Sequence, residues 1–171
     1  MANNHTAGAA ARTFAPSELC QRMLAKTSKG TCGPCILYLE DGTIFYGRAC
    51  GAEGTATGEV CFNTSLEGYF EVMTDPSYAG QIVTMTYPQI GNYGIDETDV
   101  QSAFPSDDVR PTSAPAMRGM IVRDMCATPS NWRSAVSVPE YLRAHGIVAI
   151  EGVDTRALVR HLRDNGSKMG I

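Results

Sequence analysis

Asp41 and Gly42, preceded by Glu40, stand between the apolar run Ile36-Leu37-Tyr38-Leu39 and a second run from Thr43 to Arg48. An Asp-Gly pair adopts the left-handed backbone of a two-residue hairpin turn at little cost. The two runs are therefore predicted to fold back on each other as antiparallel strands. That commits the chain to a β-sheet from its first apolar segment onward. Gly47, Gly51, Gly54 and Gly58 then break the chain into turns. Glu59 to Asn63 reads as a further short strand. Gln81 to Tyr87 (QIVTMTY) is rich in β-branched and apolar residues and is the strongest strand signal. Met117 to Asp124 (MRGMIVRD) returns to strand character.

The C-terminal third changes pattern. Ser137 and Glu140 have the spacing of a capping box, predicting a helix from Val138 to His145 that stops at Gly146. Ile147 to Ile150 reads as a short buried strand. Asp154 is placed to cap a second helix that stops at Gly166. Leu158, Val159 and Leu162 form its apolar stripe, and Arg156, Arg160 and Arg163 lie largely off it. Strands first, then strand and helix alternating, predict a mixed α/β fold with helices on one side of a sheet. Residues 1–34, rich in small and polar residues, read as a tail with one short helical patch near Ser17 to Ala25. Residues 96–116, with three prolines among Ser and Asp, read as a surface loop.

Composition narrows the function classes. The net charge is −4, and no basic stripe marks a nucleic-acid footprint. The first residues lack the charged start and apolar stretch of a signal peptide. No apolar run is long enough to span a bilayer. A soluble, cytoplasmic protein is expected. The six cysteines, with no secretory signal, are weak evidence for disulfides, and Cys50 and Cys61 read as small buried apolar residues.

The loudest short motif is Cys32-Gly33-Pro34-Cys35. A C-x-x-C pair can lower one thiol's pKa and exchange disulfides. That chemistry needs a strand before the motif and a helix after it, whereas here a polar tail precedes it and a strand-like run follows. A thiol-disulfide redox module on Cys32 and Cys35 is therefore kept only as an alternative. A metal site would need a second ligand pair, and His5, His145 and His161 are scattered, so no metal or cofactor is expected. There is no nucleophile elbow, P-loop or G-x-G-x-x-G after a strand, and no catalytic residue is assigned. His161 reads as part of a solvated helix face. The stretches Asn63 to Tyr69, Thr74 to Gln81 and Tyr87 to Gly94 mix Gly, Tyr and small polar residues. They fit ordinary turn chemistry and loops shaped for a ligand equally well.

Residues 36 to 171 carry an ordered series of longer motifs. LEDGT-x-F-x-G is followed by G-E-x-x-FNTS-x-x-GY-x-E, TDPSY-x-x-QIV and TYP-x-IGN-x-G. Then come GMIVRD, SNWR and YL-x-x-HGIVAI-x-x-VDTRAL-x-R-x-LRD-x-G. This series resembles the N-terminal domain of carbamoyl phosphate synthetase small subunits. The resemblance implies a three-layer β/β/α fold over residues 35–171, sometimes called a swivelling domain. It also implies a second domain, a glutamine amidotransferase with a catalytic Cys and a His–Glu pair, which is expected to be absent here. That domain releases ammonia from L-glutamine. A large subunit, which uses ATP and a metal ion, combines the ammonia with bicarbonate for arginine and pyrimidine synthesis.

The domain alone is accordingly expected to be inactive. Its implied partners are the large subunit, its own amidotransferase domain and glutamine. One ligand contact carries over. In the family the Ser of the DPSY motif faces the glutamine site, and here it is Ser77. Surfaces for docking the large subunit are expected around Asn63 to Tyr69 and Tyr87 to Tyr93, with the arginines of the last helix as lesser candidates. A free-standing binding module is a further alternative.

Overall fold

In a computed structural model the described residues are 33–95, 115–131 and 136–171. Strands β1 (Pro34–Tyr38) and β2 (Ile44–Ala49) pair antiparallel, with Tyr38 opposite Ile44. The predicted turn closes them. Gly42 has φ 90°, and Asp41 Oδ1 accepts from the Thr43 amide at 3.0 Å. The paired body begins earlier than residue 35. Pro34 lies opposite Arg48, and the Gly33 carbonyl accepts from the Ala49 amide at 2.8 Å.

Five more strands complete the main sheet: β3 (Gly58–Asn63), β4 (Gln81–Met85), β6 (Gly119–Ile121), β8 (Val148–Glu151) and β9 (Lys168–Gly170). Their order is β1-β2-β8-β6-β4-β3-β9. The β3–β4, β4–β6 and β6–β8 pairs are parallel, and the remaining pairs are antiparallel. The outermost strands also meet. Tyr38 and Ile171 exchange two backbone hydrogen bonds at 2.8 and 2.9 Å, and the Glu40 amide donates to the Met169 carbonyl at 2.9 Å. The sheet is thus rolled until its two ends join, which satisfies backbone groups that an open edge would leave exposed. Strands β5 (Gln89–Ile90) and β7 (Asp124–Met125) form a separate parallel pair.

The central strands are buried on both faces. Along β4, Ile82 packs with Leu37, Val60 and Leu158, whereas Val83 and Met85 pack with Phe70, Met73 and Leu142. Met120 and Ile121 in β6, and Ala149 and Ile150 in β8, divide the same way. Successive residues of a strand point to opposite faces, so one sheet serves two cores.

Helix α1 (Tyr69–Thr74) and helix α2 (Val138–Ala144) close one core. Helix α3 (Thr155–Asn165) covers the other with Leu158 and Leu162. The predicted caps form. Ser137 and Glu140 make a full capping box, and Asp154 accepts from the Ala157 amide at 3.0 Å. Gly166 ends α3. Arg156, Arg160 and Arg163 are exposed.

The α/β expectation is met by this mixed sheet, but its helices do not lie on one side as expected: α1 and α2 cover one face and α3 the other, because the strands are apolar on both faces. The strand expected over Gln81 to Tyr87 stops at Met85, and the stretch Met117 to Asp124 divides between β6 and β7, with a bend between them. The helical patch at Ser17 to Ala25 and most of the loop 96–116 lie outside the described residues. No helix among the described residues is long and apolar enough to cross a membrane.

Candidate functional site

Ser77 sits in a 3₁₀ turn, Pro76–Tyr78, between α1 and β4. Asp75 begins the turn, and its Oδ1 accepts from the Ser77 amide at 2.8 Å. Pro76 fixes φ at the first turn position, where its missing N–H costs nothing. The amides of Tyr78 and Ala79 donate to the carbonyls of Asp75 and Pro76 at 3.1 and 3.0 Å. The amides of the turn are thereby satisfied. The Ser77 side chain is exposed and makes no hydrogen bond among the described residues.

The next residue points the other way. Tyr78 is half-buried against the core beneath α1, and its hydroxyl accepts from Asn63 Nδ2 at 2.9 Å. Asn63 ends β3, and its Oδ1 accepts from the Ser65 amide at 2.7 Å. One amide side chain therefore ties the Ser77 turn to the loop 64–68. Leu66, on that loop, is 73% exposed.

A second tyrosine fixes the far end of the same loop. Helix α1 starts after Gly68, which has φ 77° and offers no side-chain cap. The Tyr93 hydroxyl takes that place, accepting from the amides of Gly68 and Tyr69 at 3.0 and 3.1 Å. The Tyr69 ring stacks on Tyr93 with centroids 4.0 Å apart, and its hydroxyl donates to the Gly94 carbonyl at 2.7 Å. Burial raises the pKa of both phenols, so both stay protonated at neutral pH. Loops 63–69 and 87–93, each predicted as a docking surface, are thus joined.

Two clefts flank the Ser77 turn, and Ser77 itself lines neither. A cleft of about 330 Å³ is lined by Asn63, Ser65, Glu67, Glu71, Asp75 and Tyr78. A wider one, about 660 Å³, lies at the start of the parallel strands beside Ala79, Gly80, Arg118 and His145.

Two expectations are corrected. Cys35 lies within β1, opposite Gly47, and not at a helix start. Burial pushes its thiol pKa up, the reverse of what disulfide exchange needs. The redox alternative is unsupported on these grounds, and Cys32 lies outside the described residues. His161 does not sit on a free solvated face. Its Nε2 is 2.7 Å from Asp41 Oδ2 and 3.5 Å from the Thr43 hydroxyl, because α3 packs against the β1–β2 hairpin. Cys50 is buried as expected, while Cys61 is only half-buried and donates to Gln81 Oε1 at 3.4 Å.

Asn63, Tyr78 and Tyr93 were not singled out by the sequence reading. Asn63 and Tyr78 are fixed positions of the FNTS and TDPSY motifs, which is the signal that marks them, whereas Tyr93 holds the unspecified position of IGN-x-G. Among the described residues no group of three or more His, Cys, Asp or Glu side chains could hold a metal ion.

Comparison with known proteins agrees with the motif series. The small chain of carbamoyl phosphate synthase from Syntrophotalea carbinolica is 55% identical over 136 residues, covering 80% of this chain and 34% of that protein. That from Xanthomonas axonopodis pv. citri is 53% identical over 137 residues, 80% and 32% of the two chains. That from Thermotoga maritima is 51% identical over 135 residues, 79% and 32%. This chain spans about a third of the length of these relatives. A solved peptidase M28 precursor from Shewanella amazonensis aligns with a TM-score of 0.38 at 9% identity, over 79% of this chain and 32% of that one. That likeness is too slight to bear on fold or function. A family model described as the carbamoyl-phosphate synthase small chain, CPSase domain, matches residues 37–171. The chain belongs to the carbamoyl-phosphate synthase small chain family.

Proposed function

We propose that this domain is the N-terminal, non-catalytic lobe of the glutamine-using subunit of a carbamoyl phosphate synthetase. It walls one side of the glutamine site through Ser77 and docks the large subunit through loops 63–69 and 87–93. The ammonia released from glutamine then serves carbamoyl phosphate synthesis from bicarbonate and ATP, for arginine and pyrimidine formation in the cytoplasm. One observation carries this reading beyond family membership: Ser77 is exposed on a turn in which the amides of Ser77, Tyr78 and Ala79 all donate to Asp75 or Pro76. A serine hydroxyl can donate and accept at once, which suits the amide and ammonium groups of a polar amino acid. A supporting lobe of this kind also excludes water, so that ammonia is not protonated or lost on the way to the second site.

Kinetics of the complete small chain with its large chain test the proposal. Ser77→Ala is expected to raise the KM for glutamine and to spare synthesis from free ammonia. Equal loss of both activities counts against a glutamine-site role.

A further inference from the structure

Ser77 and Tyr78 are neighbours in a turn with about three residues per revolution, so their side chains leave the backbone roughly 120° apart. Ser77 points outward and Tyr78 inward. Whatever fixes the tyrosine ring therefore fixes the direction of the serine. Core packing holds the ring, and the 2.9 Å hydrogen bond from Asn63 Nδ2 to the Tyr78 hydroxyl fixes its tip. Asn63 is itself well held. Its carbonyl accepts from the Thr86 amide at 3.1 Å, and its side-chain oxygen accepts from the Ser65 amide at 2.7 Å. The parallel pairing of β3 with β4 sets Asn63 opposite Met85 and so fixes the end of β3 from which it reaches the turn.

We infer that Tyr78 and Asn63 are positioning residues for glutamine use, acting through Ser77, which they aim out of the turn. Neither residue touches the substrate in this account. Tyr78 loses its anchor if Asn63 cannot donate, and the turn then rotates about the Pro76 backbone. The inference rests on the reading that Ser77 faces glutamine.

The test uses the complete small chain in complex with its large chain. Tyr78→Phe keeps the ring and its packing but removes the acceptor. It is expected to raise the KM for glutamine about fivefold, the factor that one lost neutral hydrogen bond represents. The kcat with ammonia should stay unchanged, and the thermal midpoint should fall by no more than the loss of one neutral hydrogen bond entails. Asn63→Ala should raise the KM at least as much, whereas Asn63→Asp, which can accept from the Tyr78 hydroxyl and from Ser65, should recover most of the loss. Because the effect passes through Ser77, Tyr78→Phe added to Ser77→Ala should change nothing further.

If Ser77→Ala raises the KM and Tyr78→Phe does not, the positioning role is wrong and the glutamine reading stands. If Ser77→Ala itself leaves the KM unchanged, both fall. If Tyr78→Phe lowers ammonia-dependent synthesis and the thermal midpoint together, Tyr78 has only a structural role and the inference is overturned.

Discussion

His161 Nε2 lies 2.7 Å from Asp41 Oδ2, across 120 residues of sequence, and fastens helix α3 to the β1–β2 hairpin. The Thr43 amide and this imidazole, in that order of effect, hold the Asp41 carboxyl at about 2, below its ordinary 3.8. A carboxyl whose folded pKa is depressed stabilises the fold above its unfolded pKa and loses that contribution as pH falls through the folded value. The window here runs from about pH 4 down to about pH 2. Because both side chains keep about a quarter of their surface in water (26% and 27%), the pair's contribution should be below about 1 kcal/mol. Urea unfolding of the wild type and of Asp41→Asn should differ by that amount at pH 6 and converge at pH 2. A difference that is constant with pH would contradict the role given to the carboxylate.

Gly47 is set by close approach. A Cβ there would lie 2.3 Å from the Glu151 carbonyl oxygen and 2.7 Å from the Ile150 side chain. A backbone oxygen cannot move aside cheaply, so Gly47→Ala should destabilise by about 1–3 kcal/mol through overpacking. Gly42 has open space around it and a φ of 90°. Gly42→Ala should cost about 1 kcal/mol through backbone strain alone. Denaturant melts of the two variants separate these causes, since only Gly47→Ala should also disturb the β2–β8 pairing seen in amide exchange.

Ser137 is buried, and it carries the capping box that starts α2. Ser137→Ala leaves the Glu140 amide without its acceptor and should cost about 1 kcal/mol in thermal melts. Ser137→Asn, which can still accept, should recover most of it.

Leu158 is fully buried and bridges α3 to the rolled sheet. Leu158→Ala should cost about 2–5 kcal/mol by leaving a cavity. Arg156→Ala, one turn-position away on the exposed face, should change stability by less than about 0.5 kcal/mol. Comparable losses for both would mean that α3 is not seated as described.

The half-buried Cys35 thiol, with its raised pKa, should react slowly with iodoacetamide at pH 7.5 in the folded protein and at the rate of an ordinary thiol in urea. Peptide mass spectrometry resolves Cys35 from Cys32. Rapid alkylation of folded Cys35 would restore the case for thiol chemistry.

What could be read from the sequence follows the strength of local chemistry. Asp41-Gly42, Ser137 with Glu140, and Asp154 each make a contact within a few residues, Gly166 ends its helix with a φ of 79°, and each takes the structure expected. Helix α1 was not foreseen because its cap is a tyrosine 25 residues away, with Gly68 in a left-handed conformation where a Ser or Asp would ordinarily announce a helix. Strand β9 is only Lys168–Gly170 and exists because β1 and β3 offer backbone partners on either side. His161 was misread for the same reason, since its partner is a turn 120 residues distant. Ser77 lies in a motif legible in the sequence, but the Asn63–Tyr78 contact beside it comes from the register of two parallel strands, which no local pattern encodes.

The most direct test of the proposed role is a crystal structure of the complete small chain with a glutamine-derived ligand bound. A polar atom of Ser77 should lie about 3 Å from the ligand, at hydrogen-bond distance. Ser77 facing open solvent, with the ligand enclosed entirely by the other part of the chain, would contradict it.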